Sequence, residues 1–343
     1  MDTISVIIPV YNVEAYIAEC LRTVLMQEHK GFNVECIVVD DCGSDNSMAI
    51  VMETLEKYDG DIDFKIIKHS QNKGLSAARN SGIRASKGLY IIFLDSDDFL
   101  LPGALAGMFR LTKTYQGVDV VQGEIRLDKP SDLMEPSLGI SSVRLPEYIF
   151  DKKEAKRTIL FKMPVTSWAK LIRRDFIVSN DLFFFEGIVH EDDMWLVCAS
   201  KYISTIAFYF VPVYHYNNVR PNSIMAFPDK TKSFTSRNLI IQKAAECYIQ
   251  DRTVEYFDYI ILNLDVSLKL GVWNSIRDKV KARKSIKRMR MAISKTNCFP
   301  LSVASWYYSL PLIISCSGLI LRVYRRVFGW YKGSYIKRNL KDE

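Results

Sequence analysis

The chain lacks most of the signals that place a protein at a glance. No Gly-x-Gly-x-x-Gly follows its first apolar run and no P-loop lysine motif occurs, which excludes the dinucleotide fingerprint and the Walker-type phosphate loop. Its seven cysteines, Cys20, Cys36, Cys42, Cys198, Cys247, Cys298 and Cys316, form no Cys-x-x-Cys pair. Scattered among apolar neighbours, most of them read as small core residues of a protein in a reducing compartment. A strand pattern opens within a few residues of Met1 with no basic and apolar leader ahead of it, so export by a cleaved signal is not expected. Internal repeats and low-complexity tracts are also missing. What remains is a 343-residue chain, 48% hydrophobic and 12% aromatic, able to bury one large or two modest cores.

Charge is distributed unevenly. Residues 277–343 carry 16 Lys/Arg against 3 Asp/Glu, a charge of +13 that leaves −6 for residues 1–276 out of the overall +7. Such a basic end suits nucleic acid or an anionic membrane surface. The uncharged stretch Val303 to Leu321 chooses between them: its 19 residues would make a helix of roughly 28 Å, close to the thickness of a bilayer core. Pro311 and five serines or cysteines weaken it as a lone spanning segment. With Trp306, Tyr307, Tyr308, Trp330, Arg322, Arg325 and Arg326 around it, it reads as an interfacial anchor, with a true span or an ordinary buried helix as the other readings.

Strands and helices alternate over the first third. Ile4–Ile8, Val34–Val39, Phe64–Lys68, Leu89–Leu94 and Val118–Gln122 are β-rich, and helical stripes separate them, such as Val13, Ile17, Cys20, Leu21, Val24 and Leu25. Ser44 can cap the second helix, and Leu75 to Ala85 forms a third, rich in small residues. The rhythm predicts an α/β fold with a mostly parallel sheet covered on both faces. From about residue 125 prolines interrupt it; a helix over Asp192–Lys201 and a β-rich run Ile206–Tyr216 then resume it, and beyond Asp229 the pattern is helical.

Chemistry-bearing residues fall just after the strands, where open α/β sheets bind ligands. Asp95-Ser96-Asp97-Asp98 follows a buried strand pattern. Clustered carboxylates repel one another and resist desolvation, so a cation is expected there, in the form of a divalent metal with a phosphorylated ligand. A solvated turn is the bland reading of the same motif. Pro9-Val10-Tyr11-Asn12 offers a strand-ending proline, an aromatic able to stack on a base, and a residue able to cap the next helix. In Asp40-Asp41-Cys42-Gly43-Ser44-Asp45 an acid can accept from a base N–H or a ribose hydroxyl. Asn72-Lys73-Gly74-Leu75-Ser76-Ala77-Ala78-Arg79-Asn80 starts a helix whose Arg79 can brace the acids or reach a diphosphate. A hundred residues on, His190-Glu191-Asp192-Asp193 opens another helix, where acids also occur for dipole reasons alone.

In their order and spacing these motifs resemble those of family 2 glycosyltransferases, which have the GT-A fold, over about residues 1–225. The resemblance implies a nucleotide-binding half (1–125) and an acceptor half (126–225), followed by a helical, basic and apolar region (226–343). It assigns Pro9, Tyr11, Asn12, Asp40 and Asp41 to base and ribose, has Gly74 and Arg79 support the nucleotide site, and turns Asp95 and Ser96 to the nucleotide. Asp97 would ligate Mn²⁺ or Mg²⁺ on the diphosphate. Asp98 is left between a ligand and a turn cap, and His190 is unassigned. Asp192 looks like the base that deprotonates the acceptor hydroxyl, with Glu191 and Trp168 near the sugars. Tyr214-His215-Tyr216, Arg220 and Ser223 resemble a loop over the diphosphate.

The expected activity is inverting, metal-dependent hexosyl transfer from a nucleotide-sugar, by resemblance a UDP-sugar, to a saccharide or lipid-linked saccharide in surface polysaccharide assembly. Cytoplasmic and peripheral attachment to the inner membrane face is expected, on anionic lipid and without nucleic acid. The competing readings are a non-catalytic membrane scaffold with the same fold and a nucleic-acid-binding protein using the basic tail.

Overall fold

The computed structural model describes residues 1–127, 145–218, 229–269, 284 and 287–296. Two compact units divide the chain, Met1–Pro228 and Asp229–Glu343. Val303–Leu321, Arg220 and Ser223 lie outside the described residues.

In the first unit the elements run β1 (Thr3–Val10), α1 (Ile17–Leu25), β2 (Asn33–Asp40), α2 (Ser47–Glu56), β3 (Asp63–Lys68), α3 (Leu75–Ala85), β4 (Tyr90–Phe93), β5 (Phe99–Leu100), α4 (Ala104–Thr114) and β6 (Val120–Leu127). Then come β7 (Tyr148–Ile149), α5 (Lys152–Phe161), β8 (Lys170–Arg173), α6 (Arg174–Ser179), α7 (Glu191–Ala199) and β9 (Ile206–Tyr216). Among the described residues they build a nine-stranded sheet in the order β3-β2-β1-β4-β8-β6-β9-β5, with β7 on β9. β3, β2, β1 and β4 are mutually parallel, and β8 enters antiparallel between β4 and β6. β9 runs parallel to β6, so only β5, β7 and β8 oppose the remaining six strands.

Alternation along β1 explains the two covered faces. Ile4, Val6, Ile8 and Val10 share a core with Ile17, Cys20, Leu21 and Val24 of α1, while Ile7 points the other way, to α3. There a Cβ on Gly82 would lie 2.3 Å from Ile7 Cγ2, so the helix approaches the strand through a missing side chain.

Some boundaries differ from expectation. Pro9 does not end β1: it pairs with Val39 inside the ladder and the strand continues to Val10. Ser44 does not cap α2, whose N-cap position is Asn46. β8 has no forecast in the sequence, because four residues beginning with a lysine show too short a period to be read. In the second unit α8 (Lys230–Asp251) is capped by Asp229, whose side chain accepts from Thr231 N and Lys232 N, and packs against α9 (Val254–Lys269).

Candidate active site

The parallel strands end at one edge, and the loops leaving them are tied together by side chains. Asn12, at φ 52°, does not cap α1, whose N-cap is Tyr16; its Oδ1 instead accepts from Ser44 N at 2.8 Å, joining the β1 and β2 loops. Tyr11 is 47% exposed beside it, with a face available to a planar ligand. Asp40 is buried and accepts from Cys42 N at 2.9 Å. Asp41 is occupied within the fold: its two oxygens accept from Lys73 N (2.9 Å) and Gly74 N (2.8 Å), and His69 Nδ1 lies 2.6 Å from Oδ1. The other nitrogen of His69 meets Ser81 Oγ at 2.8 Å. Asp41 thus fastens the end of β2 to the turn before α3, where Gly74 takes φ 87°.

Arg79 is the centre of the site. It is 1% exposed, and its guanidinium reaches three carboxylates: Nη2 donates to Asp95 Oδ1 at 2.9 Å, and Nη1 to Glu191 Oε1 and Asp192 Oδ1 at 3.0 Å each. Its plane also lies over Phe184, 5.3 Å from the ring centroid. Burial opposes the positive charge, but Asp95, Asp192 and Glu191 outweigh it and hold the proton well above the ordinary arginine value. Arg79 thus braces the three acids. The carboxylates stay in partial contact with solvent, at 22% exposure for Asp95, 15% for Glu191 and 17% for Asp192.

α7 delivers the last two acids. His190, at φ 60°, turns the chain into the helix, and Trp195 Nε1 anchors it to Leu182 O at 2.8 Å. Glu191 and Asp192 occupy its first turn as the dipole favours, yet their oxygens face Arg79. Asp192 Oδ2 also accepts from Ser167 N at 3.1 Å. Burial first, and the neighbouring Asp192 charge next, push the Glu191 carboxyl up to about 7. The Asp192 carboxyl is raised too, mainly by burial, with Arg79 pulling it back.

The acidic turn after β4 is divided. Asp95 faces Arg79, Ser96 is buried and Asp97 is partly exposed. Asp98 is 1% exposed; Tyr214 Oη donates to its Oδ2 at 2.7 Å and Asn217 N to its Oδ1 at 2.8 Å. Tyr214 Oη in turn accepts from Asp95 N at 3.1 Å, so Asp98 and Tyr214 together pin the turn to β9. Burial and the charges of Asp95 and Asp97 push Asp98 up to about 8. Trp168, just ahead of β8, is 5% exposed and stacks on Tyr214 at 4.5 Å and Tyr216 at 5.2 Å, which places it in the core beside the acidic turn's Tyr214 anchor.

Sequence reasoning missed several supports. Asn80 Nδ2 donates to Phe184 O (2.9 Å) and Glu186 Oε1 (3.1 Å), and its Oδ1 accepts from Phe184 N (2.8 Å), clasping the segment before α7. Ser167 acts through its backbone amide, for which no spacing rule exists. Asn80 stood inside a recognised motif, and that was its one signal.

Known proteins resemble the chain in sequence and in fold. The profile described as Glycosyl transferase family 2 matches residues 5–179, just over half the chain. Glycosyltransferase GlyA of Streptococcus pneumoniae is 34% identical over 201 residues, which cover 56% of this chain and 27% of GlyA. The poly(ribitol-phosphate) beta-N-acetylglucosaminyltransferase TarS of Staphylococcus aureus is 26% identical over 230 residues, 66% of this chain and 37% of TarS. The chain thus spans well under half the length of either relative. In structure, residues 1–349 of TarS in complex with UDP superpose with a TM-score of 0.68 at 18% identity, covering 97% of this chain and 92% of that one. The mannosyltransferase PcManGT of Pyrobaculum calidifontis, in complex with GDP-Man and Mn²⁺, does so with a TM-score of 0.54 at 14% identity, covering 99% and 88%. At such identities the structural likeness shows the fold alone. The chain belongs to glycosyl transferase family 2 and is built on the GT-A fold.

Proposed function

We propose that the protein transfers a hexosyl group, with inversion, from a UDP-sugar to a hydroxyl of a saccharide acceptor in surface polysaccharide assembly. One observation carries the proposal: Arg79 gathers Asp95, from the strand-end acidic turn, and Glu191 and Asp192, a hundred residues on, around one guanidinium. Acids so far apart in sequence have no folding reason to share one buried cation that costs desolvation to place. A donor-side and an acceptor-side carboxylate in adjoining positions is what glycosyl transfer requires.

Asp192 takes the proton of the acceptor hydroxyl as its oxygen forms a bond to the anomeric carbon and the bond from that carbon to the diphosphate oxygen breaks. Arg79 and Ser167 N hold the two oxygens of the Asp192 carboxylate, which fixes its direction. Glu191, held by the same guanidinium nitrogen, is placed to bind sugar hydroxyls. Tyr11 offers its exposed face to the base, and Asp40 and Asn12 line the neighbouring loops.

The acidic turn suits a divalent cation of the Mg²⁺ or Mn²⁺ kind. Asp97 and Asp95 stand partly exposed at the strand end, and no group of three or more His, Cys, Asp or Glu able to hold a metal occurs among the described residues. A few carboxylates, with the remaining positions left to water and substrate phosphate, is the usual protein share for such an ion. Asp97, assisted by Asp95, would hold it. When bound, it would neutralise charge on the departing diphosphate. Asp98 is spent on Tyr214 and Asn217 and has no part in this.

UDP is favoured because TarS is solved with UDP and with UDP-GlcNAc. A hydroxyl of a surface polymer is favoured as acceptor because TarS is named for transfer to poly(ribitol-phosphate). The +13 charge of residues 277–343 supports an acceptor linked to lipid and met at the inner face of the membrane. No helix among the described residues is long and apolar enough to cross a membrane. The reading is tested by screening UDP-, GDP- and dTDP-sugars for Mn²⁺-dependent transfer. Turnover of a UDP-sugar by the parent, lost in Asp192→Asn, is expected; turnover of none of them would end it.

A further inference from the structure

We propose that Lys170 is a positioning residue for the base: its buried ammonium moulds the 164–169 loop so that the Ser167 amide meets Asp192. The proposal rests on the reading of Asp192 as the base. Lys170 begins β8, is fully buried, and sends Nζ to two backbone carbonyls of that loop, Pro164 O at 2.8 Å and Thr166 O at 2.5 Å, rather than to a carboxylate. The residue after the second carbonyl is Ser167, whose N–H donates to Asp192 Oδ2 at 3.1 Å. A lysine taken wholly out of water to bind main-chain oxygens is an expensive way to close a loop, and folding alone would favour an apolar residue on a central strand.

The loop is strained and heavily tied down. Ala169 takes φ 57°, a left-handed conformation that a side chain disfavours. Its carbonyl is held from outside the loop, by Gly123 N at 2.9 Å and Gln122 Nε2 at 3.1 Å. Trp168 is wedged by its stacking on Tyr214 and Tyr216. Strain persists where surrounding contacts over-determine it, and such places gather at functional sites. Here its one outward product is an amide aimed at the base.

Lys170 also bears on Asp192 electrostatically. The charged groups acting on that carboxylate are Arg79, Asp95, Glu191 and Lys170, the two cations favouring its ionised form. Burial draws the Lys170 ammonium itself down to about 7, and Asp192 pulls it back. Removing the ammonium therefore takes away a fixed amide and one of two favourable charges.

The test compares Lys170→Met with the parent in the full chain, using the UDP-sugar and acceptor that the parent turns over. The proposal expects kcat to fall by about 10- to 100-fold, as small misplacements of a reacting group do. The KM for donor and the Kd for UDP should stay within about twofold, and the acid limb of the pH–rate profile should move upward. In the Asp192→Asn background the same change should cost almost nothing further, because the two residues act as a unit. If Lys170→Met does not melt cooperatively, Lys170→Gln, which keeps one donor, replaces it. Parent kcat and pH profile in the variant, a full extra loss on top of Asp192→Asn, or failure of both variants to fold would each overturn the proposal. Loss in Lys170→Met with parent turnover in Asp192→Asn would instead refute the base assignment, so the two ideas fail separately.

Discussion

Around Asp192 stand Arg79 from α3, Glu191 beside it in the first turn of α7, and Ser167 from the 164–169 loop. Asp192→Asn keeps shape and removes the proposed base, so turnover is expected to fall roughly 10²- to 10⁴-fold with UDP affinity within about twofold, measured by transfer kinetics and calorimetry. Asp97→Asn should do the reverse in binding, weakening Mn²⁺-dependent UDP affinity. Equal behaviour of the two variants would remove both roles. The pair also sets a pH dependence. Glu191 is pushed up to about 7 and Asp192 upward, so the acid limb of kcat/KM should lie near neutrality and belong to the pair jointly. The sign for stability is opposite. The folded pair binds protons more tightly than free carboxyls do, so between about pH 4 and pH 7 its contribution to stability declines as pH rises. An acid limb near the ordinary carboxylate value would contradict this. The acids were legible in the sequence because clustered carboxylates are costly; their partner was not, since spacing does not say which of several ligands a guanidinium will meet.

Among the elements, α3 joins the sheet to the acids. Its length matched its small-residue pattern, and Leu75–Ala85 is helical throughout. It presses on β1 through Gly82, and Arg79 and Asn80 carry it to α7 and the 184–186 segment. Gly82→Ala would put a Cβ 2.3 Å from Ile7 Cγ2. Since Ile7 is locked in a central strand, a loss of about 1–3 kcal/mol is expected in chemical denaturation. Asn80→Ala leaves Phe184 N and O without their side-chain partner, at a cost of about 1–3 kcal/mol. It should also lower kcat, because the segment leading to Glu191 and Asp192 is released. An unchanged denaturation midpoint for either variant would show that the contact is not sustained in solution. β8 shows the limit of pattern reading. Lys170-Leu171-Ile172-Arg173 is a central strand bounded by charged residues, and only its pairing with β4 and β6 makes it one.

On the scale of the molecule, residues 1–276 carry a net charge of −6 and the last 67 residues a net charge of +13. The proposed attachment to an anionic surface predicts co-sedimentation with vesicles rich in phosphatidylglycerol at low salt, and release as ionic strength shortens the screening length below about 8 Å. Protein left in the supernatant at low salt would refute it. Binding to duplex DNA with a steep salt slope, and none to the vesicles, would return the tail to the nucleic-acid reading.

The sequence by itself determined the alternation of strands and helices, the strand-end position of the first four motifs and the family they resemble. These follow from local rules: periodicity two or 3.6, and the cost of placing like charges after a buried strand. Tertiary structure alone decided which residues meet. It gave Asp41 to a turn, Asp98 to Tyr214, Trp168 to the core and Arg79 to three carboxylates, and it brought Ser167 N to Asp192. The reason is that a hydrogen bond between residues a hundred positions apart depends on the path of the backbone through the sheet, which no local pattern encodes.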